Sequence, residues 1–339
     1  MPEIQFHNRR AVQIENDQLR LIVTVEGGHL AEILHKSSGV NPLWIPPWAS
    51  IEPSTYSAAA HPEYGDYNES KLLCGILGHN LCLDLFGTPS EEEYAAGISV
   101  HGEANVVPYE IETHGDTLTA KCVLPESRLG FERTLRLDGN TVVFDETVEN
   151  LSAYDRPVAW TQHVTLGPPF LERGKTEFRA PGTKSRELNG TQDFDWPLRP
   201  LPDGGTEDLQ VYTSAESSGG FTTHLMDPRR EEAFFLAFSP SSKTLLGYVW
   251  KQSDFPWLGI WEENHFRRNG PWNGRTLTRG MEFSASPFPE SRRAMIDRGG
   301  MYGVSGYRWI PGKSRVSVRY HAFLKEAESI PDAVDLHHT

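Results

Sequence analysis

The sequence predicts an all-β protein, organised as a large antiparallel sandwich with long loops and little helix. Between residues 106 and 160, five runs of β-forming residues follow one another at about ten-residue intervals, as in antiparallel sheets. Helical periodicity is nearly absent from the 339 residues. No shift in composition divides the chain, so we expect residues 1–339 to form one domain, with a loosely ordered tail from residue 325 onward.

The chain opens with a predicted β-meander and continues into a long loop. Alternating apolar residues favour strands at 11–15, 19–25 and 29–35, with a turn at Glu26-Gly27-Gly28. Prolines are so dense between residues 37 and 70 that regular structure is precluded there. Loops of this length in a compact domain often form the rim of a binding cleft, although packing against the core would explain the aromatic residues of this loop equally well.

The later elements are predicted from turn and cap signals. Ser90 followed by three glutamates indicates a short helix start, and Asp138-Gly139-Asn140 indicates a hairpin. The strands predicted in the middle of the chain are 109–114, 117–124, 129–137, 141–150 and 158–165. Those predicted in the second half are 220–226, 233–239, 244–250, 258–262, 279–284 and 314–323.

Composition narrows the range of partners and cofactors. Asp plus Glu is 46 against 32 for Lys plus Arg, and a net charge of −14 argues against nucleic acid or an anionic membrane as partner. The three cysteines form no C-x-x-C pattern, and the histidines lack the close spacing of a zinc site, so we expect no metal and no other cofactor. There is no signal-like segment and no run of 18 apolar residues, which makes a cytoplasmic location the expectation.

His163 is the first candidate for chemistry. The run from Val158 reads as a buried strand, and Gly167, Pro168 and Pro169 end it shortly after the histidine. His101 and His79 both adjoin glycine, which lets a backbone and a ligand approach closely. The alternative for each histidine is an ordinary core residue with its hydrogen bonds satisfied.

Glu282 is the second candidate. It alternates with Met281 and Phe283, so the carboxylate lies on the opposite face of its strand from these apolar side chains. A glutamate there can act as a general base with His163 as general acid, or it can form a buried salt bridge to Arg279 or Arg275.

Further side chains near the ends of strands are candidates for the walls of the cleft. Trp261 and Glu262 are expected to contribute to it, and Arg275 to bind substrate. Four arginines, Arg267, Arg268, Arg275 and Arg279, make a phosphorylated substrate conceivable, with solvated surface positions as the other interpretation.

Five segments in this order resemble the aldose 1-epimerase (galactose mutarotase) family. They are N-D-Q-L-R-L-I-V-T-V-E-G-G-H-L-A-E-I, V-H-G-E-A, T-Q-H-V-T-L, R-G-M-E-F-S-A-S-P-F-P and I-P-G-K-S-R-V-S-V-R-Y-H-A-F. Departures surround the histidine and the glutamate: Val164 and Thr165 follow His163, and Phe283-Ser284-Ala285 follows Glu282. These departures bear on the substrate more than on the fold.

The resemblance implies a galactose mutarotase-like β-supersandwich and an enzyme that interconverts the α and β anomers of an aldose. In that family a histidine and a glutamate serve as acid and base, here His163 and Glu282, while His101 and His79 would orient sugar hydroxyls. The implied partner is a small carbohydrate, no cofactor is needed, and the chain is expected to be a monomer or homodimer. We expect His163 and Glu282 to face each other across a cavity as wide as one sugar ring.

Two other functions remain open at this stage. The departures around His163 favour a sugar-binding protein without catalysis. A carbohydrate hydrolase or lyase on the same fold would need two carboxylates about one bond, and Glu262 with Glu282 could supply them.

Overall fold

The computed structural model describes residues 3–334, and nearly all regular structure in them is β-strand. The strands are β1 (Ile4–Phe6), β2 (Arg9–Glu15), β3 (Leu19–Thr24), β4 (Leu30–His35), β5 (His79–Asp84), β6 (Glu110–His114), β7 (Thr117–Leu124), β8 (Leu129–Asp138), β9 (Thr141–Asn150), β10 (Arg156–Leu166), β11 (Glu177–Arg179), β12 (Gly182–Glu187), β13 (Asp193–Asp195), β14 (Leu198–Pro200), β15 (Thr206–Asp208), β16 (Ser218–Met226), β17 (Glu232–Ser239), β18 (Thr244–Lys251), β19 (Trp257–Asn264), β20 (Leu277–Ser284), β21 (Gly300–Met301), β22 (Val304–Ser305), β23 (Arg308–Ile310) and β24 (Arg315–Glu326). The helices are α1 (Ser70–Leu73), α2 (Glu91–Ala95) and α3 (Arg292–Arg298).

Two antiparallel sheets carry the architecture within the described residues. The larger has twelve strands in the order β1-β2-β3-β4-β5-β10-β20-β19-β16-β12-β13, with β23 also paired to β10. The smaller has eight strands in the order β11-β17-β18-β24-β9-β8-β7-β6. The predicted all-β class and sandwich architecture are confirmed. None of the helices in residues 3–334 is long and apolar enough to cross a bilayer.

The local signals in the sequence correspond to real elements. Strands β7 and β9 have the predicted bounds, and residues 139–140 turn the chain between β8 and β9. Ser90 caps α2 in a capping box with Glu93, as the acidic run predicts. The loop from residue 37 to 69 contains only two short 3-10 turns, Pro53–Thr55 and Pro62–Tyr64.

Three kinds of element were not foreseen. Every residue of β5 is buried, so its sequence lacks the alternation by which a half-exposed strand is recognised. The strands β11 to β15 are six residues or shorter and polar, so the sequence of residues 167–220 predicts turns. Helices α1 and α3 are four and seven residues long, too short to establish a helical period.

The main core lies between the two sheets, and alternation along each strand decides which side chains enter it. On β10, Trp160, Val164 and Leu166 point into this core. Ala159 belongs to a second apolar cluster on the other face of the larger sheet. His163 shares that second face because it lies an even number of residues from Ala159. Alternate side chains of β10 therefore pack in the main core, while His163 points to the opposite face of the larger sheet.

The C-terminal segment covers the outer face of the smaller sheet. Strand β24 continues to Glu326, and Ala327, Ile330 and Val334 pack against a cluster that includes Phe238 and Phe323. The predicted loosely ordered tail therefore begins as a packed segment, and residues 335–339 lie outside the described residues.

A buried polar group ties the two sheets together. The carboxylate of Glu146 on β9 accepts hydrogen bonds from Arg133 (2.7 Å), Tyr320 (2.7 Å), Trp160 (3.0 Å) and Gln162 (2.6 Å). Glu146 and Arg133 are nearly fully buried, so each charge depends on the other for compensation.

Replacing Glu146 by Ala should destabilise the protein by about 3–5 kcal/mol, because the Arg133 guanidinium is left buried and unpaired. Glu149→Ala on the same strand is the matched control. Its partner Arg315 is solvent-exposed, so the loss should stay below about 1 kcal/mol. Urea unfolding measures both, and equal losses would contradict the assigned role of Glu146.

Candidate active site

A cavity of about 470 Å³ opens on the face of the larger sheet that points away from the main core. Its floor is formed by side chains of β10, β19 and β20, among them His163, Trp261 and Glu282. Loop residues such as His101 and Arg267 complete the walls. Five of the seven predicted site residues line this cavity, namely His101, His163, Trp261, Glu262 and Glu282.

His163 and Glu282 are direct cross-strand neighbours in the pairing of β10 with β20. Nε2 of His163 lies 3.1 Å from Oε1 of Glu282, and Nδ1 lies 2.9 Å from the hydroxyl of Thr165. The contact with Glu282 is not aligned as a hydrogen bond, so Oε1 has no hydrogen-bond partner among the described residues. An unpartnered buried carboxylate oxygen in a residue that lines a cavity has acceptor capacity that no protein group uses.

This arrangement corrects one expectation from the sequence. The two side chains do not face each other across a cavity as wide as a sugar ring; they lie side by side on adjacent strands. Directly opposed residues of an antiparallel pair have Cβ atoms only about 5 Å apart, which brings the side chains into contact.

Two glycines leave room for side chains around Glu282. A Cβ at Gly280 would collide with Oε1 of Glu282. Gly259 pairs with Glu282 on the neighbouring strand, and the ring of Phe221 occupies the space that a side chain at 259 would need. The lack of a side chain at Gly280 gives the carboxylate its space, and the lack of one at Gly259 gives space to the Phe221 ring.

Burial shifts the pKa of both members of the pair toward their neutral forms. Desolvation raises the pKa of Glu282 well above its ordinary value. Desolvation, together with the nearby His101, lowers the pKa of His163 well below its ordinary value. At neutral pH the pair is therefore favoured as a protonated carboxyl beside an uncharged imidazole.

His101 lies beside this pair in a strained backbone conformation. Its φ is +66°, an uncommon value for a residue with a side chain, and the two imidazole rings are 5.1 Å apart. Nδ1 of His101 donates to the carbonyl of Phe86, which can only accept, so Nε2 carries the lone pair in the neutral ring. Burial lowers the pKa of His101 to about 4, which keeps that nitrogen an acceptor at neutral pH.

Aromatic rings and one arginine form the adjoining wall. The Trp261 ring lies 5.9 Å from the ring of His163 and 5.9 Å from that of Trp272. Arg267 stacks over Trp272 at 4.8 Å and over Trp261 at 5.8 Å. Glu69 pairs with Arg267 at 3.1 Å and thereby joins the proline-rich loop to the loop after β19.

Two residues predicted to bind substrate do not line the cavity. His79 is opposite Val164 in the β5–β10 pairing, so its side chain points into the main core. There its Nε2 donates to Gln162 (3.0 Å) and its Nδ1 accepts from the hydroxyl of Tyr248 (3.2 Å). Arg275 is exposed and outside the cavity lining.

Glu262 lines the cavity but is already paired. Its carboxylate accepts from Arg279, which is fully buried and also donates to the carbonyl of Leu209 (2.8 Å). The salt bridge considered for Glu282 and Arg279 therefore forms between Glu262 and Arg279. Glu282 is left without a cationic partner among the described residues.

Nothing in the sequence distinguishes Arg267 from the other three arginines of this region. Arg267 is distinguished from Arg268 and Arg275 only by the folded position of the loop after β19. This loop places the Arg267 guanidinium over the rings of Trp261 and Trp272. In residues 3–334 no group of three His, Cys, Asp or Glu side chains has the arrangement needed to hold a metal ion.

The Glu282→Gln variant should gain stability over the wild type as the pH rises. The raised pKa means that folded Glu282 keeps its proton while the unfolded chain loses it above about pH 4.5, so the wild type becomes less stable as the pH increases. Glutamine has no such proton.

The measurement is the difference in Tm between Glu282→Gln and wild type at about pH 4 and about pH 7.5, on either side of the ordinary glutamate pKa. The difference should increase with pH. The exposed Glu110→Gln on β6 is the control and should show no such increase. A pH-independent difference for Glu282→Gln would contradict the raised pKa.

Known proteins resemble this chain in structure rather than in sequence. No family model matches the sequence, and no curated protein does. A provisionally named aldose 1-epimerase from Klebsiella pneumoniae is similar over 94% of this chain and 80% of its own, with a TM-score of 0.69 and 14% identity.

Two galactose mutarotase-like proteins have similar structures. The one from Clostridium acetobutylicum covers 96% of this chain and 98% of its own, with a TM-score of 0.63 and 14% identity. The one from Lactobacillus casei covers 93% and 100%, with a TM-score of 0.61 and 13% identity. The chain has the fold of the galactose mutarotase-like proteins.

Proposed function

We propose that this protein is an aldose 1-epimerase-like isomerase that interconverts the α and β anomers of an aldose by opening and reclosing its ring. The observation that carries the proposal is the contact between His163 and Glu282 at the cavity wall. A donor and an acceptor of protons lie 3.1 Å apart there, and one carboxylate oxygen has no hydrogen-bond partner among the described residues.

The separation suits the chemistry of ring opening. The hydroxyl oxygen and the ring oxygen of an aldose are both bonded to C1, so they lie only about 2.3 Å apart by ordinary single-bond geometry. Two groups that must reach these two oxygens together should therefore be neighbours.

The reaction needs no group beyond this pair. The base takes the proton of the C1 hydroxyl, the C1–ring oxygen bond breaks as the C1 carbonyl forms, and the acid protonates the ring oxygen. Rotation about the C1–C2 bond presents the other face of the carbonyl. Ring closure then reverses both proton transfers and leaves the pair as it began.

Substrate would set the direction of the first proton transfer. In the free protein, burial favours the proton on Glu282. A sugar hydroxyl that donates to the unpartnered Oε1 would replace some of the lost solvation of the carboxylate, which would stabilise its charged form. The proton then passes to His163, so that Glu282 serves as base and His163 as acid.

Neighbouring side chains would bind the sugar. Nε2 of His101 would accept a hydrogen bond from a hydroxyl group, because its Nδ1 is already committed to Phe86. The Trp261 ring, close to His163, would pack against the apolar face of the sugar ring. The fold shared with proteins named as aldose 1-epimerases and mutarotases adds support from outside the site.

A hydrolase with Glu262 as second carboxylate is less well supported. Its carboxylate is held by the buried Arg279, which leaves it poorly placed to exchange protons with a substrate. Sugar binding without catalysis predicts the same contacts but no increase in the rate of anomerisation.

His163→Ala and Glu282→Gln should each lower kcat for anomerisation by about 100-fold or more, the usual contribution of a general acid or base. The assay is polarimetry of freshly dissolved aldoses, with circular dichroism to verify folding. His114→Ala, at an exposed position on β6, should keep full activity. Undiminished activity in both site variants would rule out the mechanism, and a folded wild type that binds sugar without accelerating anomerisation would favour the non-catalytic alternative.

A further inference from the structure

The cavity is larger than one sugar ring requires. A single hexose occupies roughly 200 Å³ at the packing density of a protein interior, whereas the cavity has a volume of about 470 Å³. The cavity therefore has room for more of the substrate than the reacting sugar ring.

The strand register shows where this space lies. Gly259 on β19 pairs with Glu282, and Glu263, four residues further along β19, pairs with Gly219 on β16. At about 3.3 Å per residue, Gly219 lies about 13 Å along the strand from the row that holds His163 and Glu282. Gly219 and Glu263 line the same cavity.

An exposed aromatic ring stands at this far end. Phe266 is 57% exposed, and among the described residues it is the exposed large apolar side chain that lines the cavity. Its ring rests on Gly219, where a Cβ would come within 2.7 Å of it. Oε1 of Glu263 accepts from the backbone N–H groups of Phe266 (2.7 Å) and Arg267 (2.8 Å), which fixes the turn that presents the ring.

Trp261 lies between the two ends. It is two residues from Gly259 along β19, about 7 Å at the usual strand rise, and its ring is 5.9 Å from that of His163. One sugar ring measures roughly 5 Å from C1 to the opposite hydroxyl, since its bonds are about 1.5 Å long. Trp261 and Phe266 are therefore spaced as platforms for two successive sugar units.

Polar side chains accompany this path. The backbone N–H of Leu188 donates to the carbonyl of Phe221 (3.0 Å), and Phe221 is the cross-strand neighbour of Trp261. This contact brings the exposed Glu187 and Asn189 to the cavity edge, where a carboxylate and an amide can bind sugar hydroxyls.

We propose that the preferred substrate is a reducing oligosaccharide of at least two sugar units, with its reducing end at His163 and Glu282 and its next unit against Phe266. This inference rests on the proposed function. It assigns Phe266 to a second sugar subsite, which contributes to binding and takes no part in the proton transfers.

The first test compares anomerisation of glucose with that of the reducing disaccharides maltose, cellobiose and lactose by polarimetry. At least one disaccharide should show a kcat/KM about tenfold above that of glucose, the gain expected from one added aromatic contact. Glucose turned over as well as or better than all three would overturn the proposal.

The second test uses Phe266→Ala, with Tyr154→Ala as control because Tyr154 is 82% exposed and outside the cavity lining. Phe266→Ala should raise KM for the preferred disaccharide about tenfold and leave KM for glucose within about twofold. Tyr154→Ala should change neither. An equal effect of Phe266→Ala on glucose and disaccharide would assign the ring to the first sugar and overturn the second subsite.

Failure of the two proposals is distinguishable. If no sugar is anomerised faster than in buffer, the proposed function fails. The second sugar subsite can then still be tested by calorimetry of glucose and disaccharide binding. Disaccharide binding that is tighter than glucose binding and weakened by Phe266→Ala would uphold it, and equal binding of both sugars would overturn it.

Discussion

The pairing of β10 with β20 is the constraint on which the candidate site depends. It places His163 opposite Glu282, while the alternation of side chains directs Trp160 and Val164 of the same strand into the main core. A slip of one residue in this register would bury His163 between the sheets and expose apolar side chains in its place. The same packing that stabilises the sandwich therefore fixes the geometry of the pair.

Burial also determines which protonation states of His163 and Glu282 are favoured. A carboxyl and an imidazole in contact near a surface would form an ordinary ion pair, whereas desolvation at this depth favours their neutral forms. Cationic groups nearby are engaged elsewhere, Arg279 with Glu262 and Arg267 with Glu69 and Glu263. Glu282 is thus left without a cationic partner to stabilise its charged form.

Sequence reasoning could select His163 and Glu282 as candidates but could not predict that they are direct cross-strand neighbours. Both residues lie in strands that the sequence predicts, β10 from its β-forming residues and the Gly-Pro-Pro that ends it, and β20 from the alternation of Glu282 with Met281 and Phe283. His79 could not be assigned correctly because β5 is buried on both faces, so only its pairing with Val164 shows that the histidine points into the core. Arg267 and Arg275 lie in one irregular segment, and which of them reaches the cavity depends on the long-range contact with Glu69.

The rim of the cavity is formed by irregular segments, whereas its floor is formed by strands. The hydroxyl of Tyr67 donates to the carbonyl of Gly270, and Trp44 and Trp48 of the proline-rich loop pack with Trp272 of the loop after β19. These contacts join the irregular segments to each other and do not involve His163 or Glu282. Under the proposed function, sequence drift in the rim would alter which sugars are admitted while the His163–Glu282 pair is preserved, so that selectivity and reactivity could evolve separately on this scaffold.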